Sequence, residues 1–178
     1  MLQTERKWYQ IYTQPNCEKK LHDKIESLGL QSYLPLRKLK KQWSDRVKTV
    51  QEPAFKSYLF TKLYAEEMHQ IERLSEFGFF IRYRDGGAGN PVFPKITDQT
   101  IHTIETVLDT CPTAELVDAQ HTQYKKGAGI IIKSGNLQGY QGTVIENANN
   151  NKVLIELQGL NQSLAITVAK QLIETAPA

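Results

Sequence analysis

Ser57-Tyr58-Leu59-Phe60-Thr61-Lys62-Leu63-Tyr64, residues 57–64, is the most strand-like run in the chain. Aromatic, β-branched and aliphatic residues fill it. Tyr58, Phe60, Lys62 and Tyr64 fall on one face, and Leu59, Thr61 and Leu63 on the other. Upstream, Lys7-Trp8-Tyr9-Gln10-Ile11-Tyr12-Thr13 has the same composition and reads as a strand. Pro15-Asn16 then opens a helix, with Asn16 placed to cap it and Leu21, Ile25 and Leu28 at helical spacing up to Gly29. Gln31 to Leu36 reads as a second strand, followed by a basic stretch whose Ser44-Asp45-Arg46 is a hairpin tip. Downstream, Met68, Ile71 and Leu74 predict a helix closed near Gly78, and Phe79 to Arg84 alternates as a strand. Gly86 to Asn90 is a turn, and Ile101, Ile104 and Leu108 predict a helix capped by Thr97 or Asp98. This order predicts an α+β unit, a mainly antiparallel sheet with helices packed on it, over residues 5–110.

From Cys111 to Gln123 the periodicity fades and Pro112 interrupts, so 111–123 reads as a linker. Beyond it the texture changes. Ile130 to Lys133, Thr143 to Glu146, Val153 to Leu157 and Leu164 to Val168 are short β-rich runs, separated by glycine and asparagine turns. They predict a small β-barrel over 124–178. Gly127, Gly135, Gly139 and Gly142 punctuate its first two strands, where glycine serves positive φ or close backbone approach.

The 178 residues carry 22 Lys and Arg against 19 Asp and Glu, with a hydrophobic fraction of 40% that is ordinary for a globular chain. The formal charge of +3 hides a segregation: +1 over 1–32, +6 over 33–64, −6 over 65–122 and +2 over 123–178. The basic excess lies in Arg37, Lys38, Lys40, Lys41, Arg46 and Lys48, with Trp43 among them, a density that suits a phosphate backbone. No apolar run reaches the roughly 18 residues of a membrane span, and Met1 to Lys7 lacks the apolar core of a secretory signal. Two cysteines, Cys17 and Cys111, fit a reducing cytoplasm.

Little supports catalysis. His22, His69, His102 and His121 are scattered, without metal-ligand spacing, and Cys17 and Cys111 have no recognisable catalytic partner. Gly86-Gly87-Ala88-Gly89 is not followed by the Gly-Lys-Ser/Thr of a phosphate loop. A small nucleic-acid-modifying hydrolase therefore lacks a candidate constellation. No cofactor is expected.

The run from Lys126 to Val144 resembles the KOW motif of transcription and ribosomal proteins, with Ala128 where an acidic residue is usual. The upstream part resembles the N-terminal domain of the NusG family of transcription elongation factors. The resemblance rests on Trp8-Tyr9, Tyr33-Leu34-Pro35, Glu52-Pro53-Ala54-Phe55-Lys56-Ser57-Tyr58-Leu59-Phe60, Phe80-Ile81-Arg82-Tyr83 and Pro91-Val92-Phe93-Pro94. Within the family, Gln42-Trp43-Ser44-Asp45-Arg46 and Tyr58-Leu59-Phe60 are most similar to the specialised UpxY and RfaH paralogues. Leu137 stands where housekeeping members usually carry an aromatic.

The resemblance implies a monomeric, cytoplasmic, non-enzymatic factor that binds RNA polymerase and suppresses pausing and termination. Its polymerase contact, the clamp helices of the largest subunit, would fall to Tyr12, Tyr58, Phe60, Phe80, Ile81 and Tyr83. Its contact with the non-template DNA strand would fall to Lys20 and Lys24, extended by Arg37, Lys38, Lys40, Lys41, Arg46 and Lys48. The KOW barrel would recruit a further partner, a ribosomal protein or Rho. In RfaH this domain also masks the polymerase site in a helical form, but the β-branched runs here favour the barrel. A housekeeping elongation factor and a KOW-type RNA-binding or ribosome-associated protein are the alternatives.

Overall fold

The computed structural model describes residues 5–43, 46–84, 90–118, 126–145, 152–160 and 162–176. The chain enters through β1 (Lys7–Thr13), α1 (Glu18–Ser27) and β2 (Gln31–Tyr33), then a hairpin of β3 (Leu36–Gln42) and β4 (Val47–Pro53). There follow β5 (Tyr58–Leu63), α2 (Met68–Glu72), β6 (Phe77–Phe80), the short pair β7 (Tyr83–Arg84) and β8 (Pro91–Val92), and α3 (Asp98–Thr110). The second half holds β9 (Glu115–Asp118), β10 (Lys126–Ile132), β11 (Gln141–Ile145), β12 (Lys152–Glu156), β13 (Gln162–Thr167) and β14 (Ile173–Thr175). The α+β plan with an all-β C-terminal region is thus the one the residue pattern predicts.

The front sheet has the order β2-β5-β1-β6, with each neighbouring pair antiparallel. Its register assigns the faces. Tyr9 opposes Thr61, and Ile11 opposes both Leu59 and Phe80. On the other side of the pleat, Trp8 opposes Lys62, Gln10 opposes Phe60, and Tyr12 opposes Tyr58 and Phe79. The first face is sealed by α1 and α2 through a cluster of Tyr9, Ile11, Leu21, Ile25, Leu59, Leu63, Met68, Ile71 and Phe80. The second face is covered by α3 and by the barrel, in one continuous cluster that joins Trp8 and Phe60 to Ile101, Ile104 and Val107, and to Ile132, Ile155 and Leu164.

Several local expectations are adjusted. Cys17, not Asn16, precedes the first turn of α1, and no side chain caps it; Asn16 instead takes φ +59°, a left-handed turn that asparagine tolerates. The buried Glu18 carboxylate accepts the Ser57 backbone N–H at 2.7 Å, tying α1 to the start of β5. The run from 31 to 36 breaks at Pro35, which lacks the N–H a continuous ladder needs. Gly78 lies inside β6, where it passes so close to the Tyr12 backbone that only glycine fits. Thr97 caps α3 as expected, its hydroxyl accepting from the Thr100 N–H. The Ser44-Asp45 tip and Gly86 to Gly89 lie outside the described residues.

The reading of 111–123 as a linker is corrected in its first part. Glu115–Asp118 is a strand, β9, paired antiparallel with β13 from Glu115↔Ala165 to Asp118↔Gln162. Pro112 hides it by leaving only four residues of pattern. The six-stranded sheet of the second half has the order β14-β10-β11-β12-β13-β9.

Candidate functional site

The second face of the front sheet is organised in cross-strand rows. The outermost row is Tyr58, Tyr12 and Phe79. Tyr58 and Tyr12 meet edge to face at 5.4 Å, and Tyr12 and Phe79 stack at 5.1 Å with planes 18° apart. Phe79 is 54% exposed, and both tyrosines are half-buried. The next row is Tyr33, Phe60 and Gln10. Tyr33 stacks on Phe60 at 6.1 Å, and Phe60 and Gln10 are fully buried. Burial, reinforced by Glu105 and Asp109 on α3, pushes the Tyr33 phenol far above its ordinary value and keeps it neutral. The third row is Trp8 and Lys62, gathered by Asp98 at the start of α3. Asp98 accepts the Trp8 indole N–H at 2.6 Å and the Lys62 ammonium at 2.7 and 3.0 Å. These bonds, that from Lys62 first, hold the Asp98 carboxyl below the usual range.

The barrel closes over the middle row through the turn between β12 and β13 and the start of β13. Gln10 donates from Nε2 to Gln162 Oε1 at 2.9 Å, while the buried Gln10 Oε1 has no partner among the described residues. Thr100 donates its hydroxyl proton to the Gln158 carbonyl at 2.8 Å. Gly159 takes φ +80° and lies so tightly against the Lys95 carbonyl that a Cβ there would overlap it. Beside this seam a cleft of about 910 Å³ opens between α3 and the barrel, lined by Gln99, His102, Thr103, Tyr140, Gln141 and Gln158.

Of the six residues named for polymerase binding, Tyr12, Tyr58 and Phe60 share this face. Phe80 does not. It packs into the opposite core, its ring 6.0 Å from Tyr9 and 5.1 Å from Phe77. The paired register with Ile11 turns it inward, and its neighbour Phe79 occupies the outer face instead. Ile81 lies just past β6, its N–H donating to Gln10 O, and Tyr83 sits half-buried on β7. Sequence reasoning missed Phe79 because Phe79-Phe80 offers an aromatic to either face, and only pairing with β1 decides between them.

The basic residues form two neighbouring surfaces. On α1, Lys20 is exposed, and Lys24 is exposed but ion-paired with Glu76 at 2.6 Å. On the hairpin, Lys38, Lys40, Arg46 and Lys48 are exposed, Arg37 is half-buried with its Nε unpartnered among the described residues, and Lys41 pairs with Glu52. That bond to Lys41 holds the Glu52 carboxyl low. Lys19 joins the two surfaces by donating to the Gln51 carbonyl at 2.7 Å.

The barrel glycines divide their work. Gly135 and Gly139 take φ +85° and +86° in the turn after β10. Gly127 and Gly142 sit where strands press together; a Cβ on Gly142 would stand 2.6 Å from the Leu154 carbonyl oxygen. Leu137 is buried in the large cluster. Among the described residues no helix is long and apolar enough to cross a membrane.

The family model described as "Transcription termination factor nusG" matches residues 6–105, more than half of the chain and all of the front sheet. The chain belongs to the NusG family. NusG-family proteins are transcription elongation and termination factors that bind RNA polymerase and are not enzymes. A solved structure described as "Domain interaction in Thermotoga maritima NusG" is similar in fold, with a TM-score of 0.56 and 18% identity over 97% of this chain and 98% of that one. The MjSpt4:Spt5 complex also aligns, at 13% identity, 96% and 97% coverage and a TM-score of 0.30. No curated protein matches.

Proposed function

We propose that this NusG-family chain is a specialised, operon-directed factor that suppresses pausing and termination, acting as a cytoplasmic monomer. Its outer sheet face holds the clamp helices of the largest polymerase subunit. Its α1 and hairpin cations hold the non-template DNA strand. The barrel recruits a second partner, a ribosomal protein or Rho. The observation that carries this reading is the row Tyr58–Tyr12–Phe79, which continues inward as Phe60 and Tyr33 beneath α3 and the barrel. Rigid rings on a sheet bury apolar area against a helical pair at little entropic cost, each worth about 1.5–3 kcal/mol when covered. The inner part becomes available only when the elements covering it move, so polymerase competes for it with the barrel and α3. Binding then acts as a coupling free energy, favouring the moving polymerase over the paused one.

The specialised role is supported by Gln42 to Arg46, Tyr58-Leu59-Phe60 and Leu137, where the chain is most similar to UpxY and RfaH. Pause and terminator read-through assays on templates with different leaders test it. Dependence on one leader is the expected outcome. Equal stimulation on every template assigns the chain to the housekeeping role, and no effect on any template overturns the polymerase reading.

A further inference from the structure

The hairpin of β3 and β4 pairs only with itself, and seven residues a side carry its outer end about 24 Å from its base. Its register places Arg37 opposite Glu52, Leu39 opposite Val50 and Lys41 opposite Lys48. The next pair outward is Trp43 with Arg46, joined by the Trp43 N–H donating to the Arg46 carbonyl at 2.8 Å. These four pairs share one side of the ribbon. Trp43 is 56% exposed there, and Lys41, Lys48 and Arg46 lie on the same side. Like charges set directly opposite each other, as Lys41 and Lys48 are, destabilise a ribbon, and Glu52 on the same side is ion-paired with Lys41. An indole more than half exposed buries little apolar area in the fold. Both features acquire a purpose once a polyanion with flat faces lies along this side.

The geometry points to Trp43 as a stacking platform for one unpaired base, with Lys41, Lys48 and Arg46 holding the phosphates of the same single strand. This deepens, and rests on, the reading of the hairpin as the nucleic-acid-facing element. The ligand is single-stranded because a base exposes its π-face only when unstacked, and because an indole stacks on any base without reading its edge. Duplex DNA offers the hairpin phosphates but no face.

The chain carries its own probe. Trp8 is 5% exposed beneath α3, so Trp43 is its one solvent-accessible indole. The test is a titration of the full chain, without polymerase, with oligo(dT) of about fifteen nucleotides and with the matching duplex. The expected result is quenching of the exposed component by the single strand and none by the duplex. By anisotropy of labelled oligo(dT), Trp43→Ala weakens binding about tenfold with its salt slope unchanged, whereas Trp43→Phe stays within about threefold of wild type. Lys48→Gln lowers the salt slope by about 0.7. Far-UV circular dichroism checks that each variant is folded. Salt-dependent binding with no quenching, and equal affinity for Trp43→Ala, overturns the platform and leaves the hairpin as an electrostatic arm. Equal quenching by duplex or by polyglutamate overturns the choice of an unpaired base. No salt-dependent binding at all overturns the nucleic-acid reading itself.

Discussion

Two phenylalanines on the same sheet face differ sharply in burial. Phe60 is fully buried where the sheet, α3 and the barrel meet, so Phe60→Ala is expected to cost about 3–5 kcal/mol in urea denaturation. Phe79 is half in water, so Phe79→Ala should change stability by less than about 0.5 kcal/mol, yet weaken polymerase binding about tenfold in a pull-down titration. The reverse pattern would place the working surface elsewhere. Asp98 gives a pH prediction. Its carboxyl titrates below the ordinary value of about 3.9 in the folded chain because Lys62 and the Trp8 indole favour the anion. Its contribution to stability is therefore present above that ordinary value and lost as pH falls through the lowered one. The urea midpoints of wild type and Asp98→Asn should differ at neutral pH and converge in acid. Residue identities such as the strand aromatics and the Thr97 cap were legible in the sequence. The parity of Phe79 and Phe80 was not, because it depends on a register set by β1, some seventy residues away.

Among the elements, the turn between β12 and β13 and the first residue of β13 supply the hydrogen bonds described across the seam, and the turn makes the tightest backbone approach to the front unit. Gly159 and Gly135 make a matched pair for testing it. Both hold positive φ, so alanine at either costs about 1–2 kcal/mol of backbone strain. A Cβ at Gly135 meets open space, whereas one at Gly159 overlaps the Lys95 carbonyl. Gly159→Ala should therefore separate the two units, read as an enlarged radius by small-angle scattering, while Gly135→Ala only lowers the melting temperature. A compact Gly159→Ala variant would remove the turn from its role. The barrel strands were legible from their β-branched runs and glycine punctuation, and α1 and α3 from helical spacing. β9 escaped because four residues carry too little pattern, and its pairing with β13 joins segments some fifty residues apart.

For the molecule as a whole, the contacts that join the two units among the described residues are neutral: an amide pair, a hydroxyl on a carbonyl, and apolar burial. Salt screens charges and leaves such contacts almost untouched, so raising NaCl from about 0.05 to 0.5 M should not change the scattering radius while it abolishes oligonucleotide binding. The docking of barrel on sheet was not legible, since both surfaces read as ordinary core. Gln10 Oε1, without a donor among the described residues, is a weak point of the seam, because a buried acceptor without a donor costs about 1–3 kcal/mol that water repays on opening. The short connection from α3 to β9 limits how far opening goes. A disulfide from Val117→Cys and Ser163→Cys, which face each other across β9 and β13, should keep the parted units close, and reduction should let them drift. Only residues 111–114 separate helix from strand while β9 stays paired, but fifteen residues, about 50 Å of extended chain, lie between Thr110 and Lys126 once it peels away. On the proposed reading, the edge strand β9 is thus a stored length of chain, and its release would set the range over which the rear unit reaches a second machine while the front one stays moored.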